Sequence, residues 1–223
     1  MYLQFYGLRE LPFELTPNPR FLFMTPRHRE ALSNLQFGLS AGKPLTLLIG
    51  EAGTGKTTLL KAALESDVCR HVRSIHINNP ALTRGEFVDI LARGFNLSEE
   101  AARSKSALLR ELELVLRETR TRGEIVALVV DEAQALSDEL LEEVRLLANI
   151  ETAEEKLLPL VLAGQPELAT RLNENHLRQL KQRVSLRCEI ESLDLSEAAA
   201  YIASRIRAAG GEPHRLFSRQ AIV

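Results

Sequence analysis

An apolar run, Leu45-Thr46-Leu47-Leu48-Ile49, leads directly into Gly50-Glu51-Ala52-Gly53-Thr54-Gly55-Lys56-Thr57. No other feature of the 223 residues constrains the fold as much. The run is short and has no polar face, so it reads as a strand buried on both sides, as in a parallel sheet. The following eight residues match G-x-x-x-x-G-K-[ST] at every fixed position. Glycines in such a loop let successive backbone N–H groups turn inward around dense negative charge. A helix opening near Lys56 adds the partial positive charge of its N-terminus. The segment from Gly50 through Glu51, Ala52, Gly53, Thr54, Gly55, Lys56 and Thr57 to the flanking Thr58 therefore reads as a triphosphate cradle. Lys56 is expected to reach the β- and γ-phosphates, and the Thr57 hydroxyl to hold Mg²⁺. A glycine-rich turn with a surface lysine is the plain alternative. The strand before the loop and the helix after it argue against that.

The same alternation continues along the chain. Val72–Ile77, Glu124–Asp131, Leu157–Ala163 and Val184–Ile190 read as further strands, the last one weaker. Helical patterns fall near 26–39, 56–66, 83–95, 104–119, 140–150 and 196–209. Short buried strands joined by helices imply a three-layer α/β fold with a five-stranded parallel sheet. Four prolines (Pro12, Pro17, Pro19, Pro26) interleave with Phe5, Phe13, Phe21 and Phe23. Proline blocks helix and removes donors, so residues 1–26 are expected to form an extended arm with aromatic anchors. The division expected is 1–40 for the arm and first helix, 41–192 for the α/β core, and 193–223 for a helical appendage. A new apolar pattern starts at Leu216, and the sequence given stops inside it.

Composition narrows the classes. Hydrophobic residues make up 45% and charged residues 26%, as in an ordinary globular protein. The net charge of −2 does not call for a nucleic-acid or membrane partner. No apolar run approaches the ~20 residues needed to cross a bilayer, and the first residues lack the basic start and apolar core of a signal peptide. Cys69 and Cys188 are far apart, so a reduced, cytoplasmic chain is expected. Cys69, His71 and His76 do not have a zinc-ligand spacing.

Asp131 closes the third apolar strand, where a carboxylate can order the Mg²⁺ shell. Glu132 follows directly and can activate an attacking water. Gln165 sits just after the fourth strand, at the sheet end where ligands gather. It is a candidate sensor of the γ-phosphate. Arg178, Lys181, Arg183 and Arg187 form a basic cluster before and on the fifth strand. One of them is a candidate arginine finger, supplied to a neighbouring subunit. The acidic residues 137–143 read as a helix N-terminus and its solvent face.

One extra strand lies between the loop and Asp131. With the adjacent glutamate, this order resembles the additional-strand class of P-loop ATPases. The opening Phe5-Tyr6-Gly7-Leu8-Arg9-Glu10-Leu11-Pro12-Phe13, the GEAGTGKTT loop and Val129-Val130-Asp131-Glu132-Ala133-Gln134 resemble AAA+ ATPases of the general secretion pathway protein A type. So do Leu162-Ala163-Gly164-Gln165-Pro166-Glu167-Leu168 and Leu177-Arg178-Gln179-Leu180-Lys181-Gln182-Arg183. The resemblance runs over essentially the whole chain.

It implies an ATP- and Mg²⁺-dependent assembly factor for envelope machinery: type II secretion, pili or polysaccharide export. It also implies a homo-oligomeric ring or filament, with Gln165 at the sensor-1 position and Arg183, then Arg178, as the trans finger. The stretch around Leu11-Pro12-Phe13 becomes a wall for the adenine. Longer members carry a membrane span and a peptidoglycan-binding part, neither of which is read here. The sensor-2 arginine of the helical lid would lie beyond Val223, so the sequence is expected to be a fragment with an incomplete lid. Two other readings stand beside this one. In the first, DNA is the partner of an AAA+ regulator resembling transposition ATPases, which the basic cluster supports and the net charge disfavours. In the second, the chain is a nucleotide-gated adaptor with little hydrolysis.

Overall fold

The computed structural model describes residues 2–14, 18–78 and 81–217. In chain order the elements are α1 (Tyr2–Phe5), α2 (Pro26–Ser40), β1 (Leu45–Gly50), α3 (Lys56–Leu64), β2 (Val72–Ile77), α4 (Arg84–Gly94), α5 (Glu99–Arg103), α6 (Lys105–Thr121), β3 (Ile125–Val130), α7 (Asp138–Leu147), β4 (Leu160–Gly164), α8 (Pro166–Arg171), α9 (Arg178–Lys181), β5 (Val184–Ile190), α10 (Leu195–Ala208) and α11 (Pro213–Leu216). The five strands form one sheet in the order β2-β3-β4-β1-β5. Every pairing is parallel, Leu45 matching Leu160 on one side and Val184 on the other.

The three central strands β1, β3 and β4 are buried along their whole length, which is why they read as unbroken apolar runs. The edge strand β5 alternates in exposure, which is why it reads weakly. Alternate residues of β1 enter opposite layers. Leu45, Leu47 and Ile49 pack with Phe87, Leu112, Val144 and Leu168 from α4, α6, α7 and α8. Leu48 packs with Leu35 and Leu39 of α2 and Leu59 and Leu60 of α3. Gly38 lets α2 lie against the sheet, because a Cβ there would run into the Thr46 hydroxyl.

Four expectations change. The arm is not extended throughout: among its described residues are α1 and a 3-10 turn at Pro19–Phe21. Proline favours the first turn of a helix as well as extended chain, and Pro19 sits at such a start behind the Asn18 cap. Helix α7 begins two residues early, because Ser137 caps it by accepting from Leu140 N. Strand β4 begins three residues late, as Leu157–Pro159 precede the paired register. Glu143, expected on a solvent face, is 7% exposed. It accepts from Arg84 Nε at 2.7 Å and Lys105 Nζ at 2.9 Å, where α4 and α6 cover α7. The short helices α5, α8 and α9 had no clear periodicity to reveal them. Leu15–Pro17 of the arm and most of the apolar pattern after Leu216 lie outside the described residues.

The arm packs on α10. Leu8, Phe21, Ile206 and Ala209 form a small core of their own, and Arg9 N donates to Ala209 O at 2.8 Å. The Arg205 guanidinium lies 5.0 Å from the Phe21 ring, 5.5 Å from Tyr201 and 6.0 Å from Phe13. It also donates to Pro12 O. Cation–π contacts with the two arm rings, Phe13 and Phe21, tie arm to helix, while Tyr201 stands one turn back on α10 itself.

Candidate functional site

The loop from Gly50 to Lys56 joins β1 to α3 at the carboxyl end of the sheet. Gly53 and Gly55 have φ of +80° and +91°, which is what turns the backbone N–H groups of the loop inward. Gly50 has no room for a side chain, since a Cβ would lie 2.7 Å from Thr54 Oγ1 and 2.8 Å from Ile190 O. Lys56 is 5% exposed. Its ammonium donates only to loop carbonyls, Gly50 O at 2.8 Å and Glu51 O at 3.0 Å, and among the described residues it makes no carboxylate ion pair. A buried cation compensated by carbonyls alone, at a helix N-terminus, suits an anionic ligand. The residues present fit a nucleotide triphosphate.

Thr57 Oγ1 donates to Asp131 Oδ2 at 2.6 Å. One hydroxyl and one carboxylate in contact are the protein donors a Mg²⁺ needs when phosphate and water supply the rest. These residues fit the metal as well. Asp131 Oδ1 accepts from Glu132 N at 2.9 Å.

Glu132 has φ +53°, ψ +35°, and only it and Asn96 are non-glycine residues with positive φ among those described. Left-handed backbone disfavours a residue with a Cβ, and such strain gathers where a side chain must be aimed. Here it turns Glu132 toward a cavity of about 470 Å³ that Thr54, Lys56, Thr57 and Thr58 also line. Gln134 Nε2 donates to Glu132 Oε2 at 2.6 Å. Gln165 Nε2 is 3.5 Å from the same oxygen.

The far wall of the cavity comes from the arm and α10: Phe21, Leu22, Phe23, Tyr201 and Arg205. The expected base-side segment Leu11-Pro12-Phe13 is displaced from it. Leu11 instead lines a neighbouring cleft of about 960 Å³ with Leu60, Leu64, His76 and Asp131. Burial holds His76 below the ordinary histidine range, while Asp131 raises it and Lys61 lowers it.

The structure thus brings together Gly50–Thr58, Asp131, Glu132 and Gln165. It does not bring Arg183 to them. Arg183 is exposed and precedes Val184, which pairs with Leu45 at the opposite end of β1. At about 3.3 Å per residue, six strand residues put it roughly 20 Å from its own loop. Arg178 is exposed on α9, Lys181 donates to Asn173 Oδ1 at 2.6 Å, and Arg187 pairs with Glu189 at 2.6 Å.

Three residues at the site escaped the sequence reading. His28 Nε2 lies 3.1 Å from Thr54 O, and Nδ1 lies 2.8 Å from Thr25 Oγ1. A carbonyl can only accept, so Nε2 carries the proton and Thr25 donates to Nδ1. Arg171 Nη1 donates to Gln134 O at 2.9 Å and Leu136 O at 2.7 Å, and Nη2 reaches Asp138. The hydrogen bond from Arg171 holds Asp138 below the ordinary carboxylate range. Gln134 is the third. Only its place in a segment after two acids could have marked it.

Residues 40–172 match the family described as AAA domain. The chain is 40% identical over 210 residues to General secretion pathway protein A of Aeromonas hydrophila, which covers 94% of this chain and 38% of that protein. The chain therefore spans well under half the length of that relative. Among solved structures it is similar to the Aeropyrum pernix ORC2 protein in its ADPNP–ADP complexes. The TM-score is 0.61 and the identity 16%, over 86% of this chain and 56% of that one. CDC6P from Pyrobaculum aerophilum gives a TM-score of 0.61 and 20% identity over 86% and 52%. At these identities the likeness is one of fold. A family match over more than half of the sequence, on a five-stranded parallel sheet with helices on both faces, makes the chain a member of the AAA domain family of P-loop NTPases.

Proposed function

We propose that this chain binds ATP with Mg²⁺ and hydrolyses it. The buried Lys56 in a carbonyl-only cradle, beside the Thr57–Asp131 pair, carries the reading. Lys56 and the inward N–H groups of the loop hold the β- and γ-phosphates. Thr57 and Asp131 hold Mg²⁺, which supplies charge neutralisation on the phosphate oxygens when bound. Glu132 orients an attacking water and accepts its proton. Gln165 reads the γ-phosphate from the end of β4. Arg183 lies too far from its own loop to serve it, so it completes the site of a second copy in a ring or filament.

The work driven by this turnover is assembly of an envelope complex, on the cytoplasmic side. The support is the 40% identity to a protein named for general secretion.

The test is ATP turnover against protein concentration, with and without DNA. Lys56→Ala should weaken nucleotide binding. Glu132→Gln should retain binding and stop turnover. A rate per subunit that climbs with concentration and ignores DNA supports the reading. Stimulation by DNA that fades with salt would replace envelope assembly by a DNA-linked role. Tight binding without turnover at any concentration would leave a nucleotide-gated adaptor.

A further inference from the structure

Glu132 can act as a base only if its carboxylate is held at the right angle, and its own backbone does not hold it. The residue sits in a left-handed conformation just past β3. Two amides meet its Oε2: that of Gln165, 3.5 Å away just before α8, and a closer one two residues on. Gln134 Nε2 donates to Glu132 Oε2 at 2.6 Å. The orientation of that amide is fixed by a second contact: Gln165 N donates to Gln134 Oε1 at 3.1 Å. A backbone N–H can only donate, so the atom facing it is the oxygen, and the nitrogen must face Glu132.

The main chain that carries the amide is held as well. Arg171 Nη1 bonds Gln134 O and Leu136 O, pinning the main chain of the 3-10 turn Ala133–Ala135. Gly164 makes room for the arrangement, since a Cβ there would lie 2.9 Å from Gln134 Oε1. Gln134 therefore bridges the carboxylate after β3 to the backbone after β4, with its rotamer decided at both ends.

We propose that Gln134 is the positioning residue of Glu132: its amide occupies Oε2 and leaves Oε1 to take the proton of the attacking water. The proposal rests on the reading of Glu132 as the water-activating base. Water gives up a proton to Oε1 as its oxygen bonds to the γ-phosphorus and the bond to the bridging oxygen of ADP breaks. No oxidant or further reactant is involved. Gln134 itself exchanges no proton and touches no substrate atom.

The experiment compares the chain with Gln134→Met, Gln134→Asn, Gln134→Glu and Glu132→Gln in steady-state turnover and in titration with a fluorescent ATP analogue. Gln134→Met keeps the volume and loses the amide. Its kcat should fall about 10- to 100-fold, the scale of a misplaced reacting group, while KM and nucleotide affinity stay within about twofold. Gln134→Asn keeps an amide one methylene short and should fall between. Gln134→Glu keeps the volume and the acceptor toward Gln165 N but puts a second carboxylate where the donor stood, so its kcat should fall as in Gln134→Met with nucleotide affinity retained. A packing role would leave kcat unchanged in this isosteric variant.

Wild-type kcat in Gln134→Met beside a dead Glu132→Gln overturns the inference and leaves Glu132 as the base. Faster turnover in Gln134→Met also overturns it, because the amide would then be a restraint. Wild-type turnover in Glu132→Gln, or a wild-type chain that binds ATP and does not turn it over, overturns the reading beneath it. A spectroscopic arm does not depend on turnover. The side-chain ¹⁵N–¹H signals of Gln134, assigned by their loss in Gln134→Met, should shift in Glu132→Ala. Unchanged signals mean that the two side chains do not meet.

Discussion

Thr57 Oγ1 donates to Asp131 Oδ2 across 2.6 Å. The bond joins the second residue of α3 to the residue just past β3, so the start of one helix and the end of a central strand are one unit at the mouth of the cradle. A hydroxyl and a carboxylate already in contact need little reorganisation to share a cation.

The charge of Asp131 should therefore matter for the metal more than for the phosphates. Asp131→Asn keeps the volume: its one carbonyl oxygen can accept from Glu132 N, and its amide nitrogen can then donate to Thr57 Oγ1. It should abolish the gain in ATP affinity that Mg²⁺ gives over EDTA, while affinity in EDTA stays within about twofold of wild type. Titration with a fluorescent ATP analogue in the two buffers measures both. A Mg²⁺ gain that survives the substitution would remove Asp131 from the metal site.

His28 should hold the loop in shape. It is 4% exposed, and its Nε2 proton is committed to Thr54 O. His28→Ala deletes that bond and the one from Thr25 to Nδ1, and a typical hydrogen bond is worth about 1 kcal/mol. Loss of the loop bond should weaken ATP affinity roughly fivefold, and loss of both should lower thermal stability by roughly 4–8 °C for a chain of this size. Unchanged affinity with lowered stability would make His28 a prop for α2 alone.

Glu143 gives the chain an acid-sensitive joint. Burial raises its carboxyl, but the hydrogen bonds from Arg84 and Lys105 outweigh that and leave it below the ordinary range. A depressed carboxylate stabilises the fold above its unfolded value, about 4.3, and that stabilisation is lost as pH falls through the folded value. Glu143→Gln strands two cations that are each about 40% exposed. Discounting for solvent, the loss should be about 2 kcal/mol near pH 7. The gap in Tm between wild type and variant should close as pH drops below about 4. A gap that stays constant down to pH 3 would mean that the ion pairs do not carry the effect.

These residues also show how much a sequence can display. The cradle was legible because its chemistry is local: glycines, lysine and threonine stand within eight positions, after an apolar strand. Asp131 and Glu132 were legible because a strand buried on both faces makes its first charged residue conspicuous. Gln134, Gln165 and Arg171 were not legible as a group, since their contacts span 31 to 37 residues and depend on how β3 and β4 lie together. Glu143 misled for a related reason. An acid in the first turns of a helix normally faces water, and only the positions of Arg84 on α4 and Lys105 on α6 bury it. The arm was half legible. Its prolines marked irregular chain, but one of them opens a helical turn.

Arg183 decides between action in its own subunit and in a neighbour's. It stands at the start of β5, and the loop stands at the far end of β1, so a single chain cannot bring the two together without breaking the parallel register. In an oligomer, each site would take its base from one copy and its arginine from the next. Arg183→Ala and Glu132→Gln should then each be inactive alone, yet restore activity when mixed. In the mixture, a site on the Arg183→Ala chain keeps its own Glu132 and receives Arg183 from the Glu132→Gln chain. For random pairing at equal amounts, about one site in four should be complete if an arginine finger supplies its usual large rate factor. Turnover of roughly a quarter of wild type, appearing only on mixing and rising with total protein, is the expected result. Two variants that stay inactive together would remove Arg183 from the site, and an Arg183→Ala chain with wild-type turnover alone would show that no finger is needed from this position.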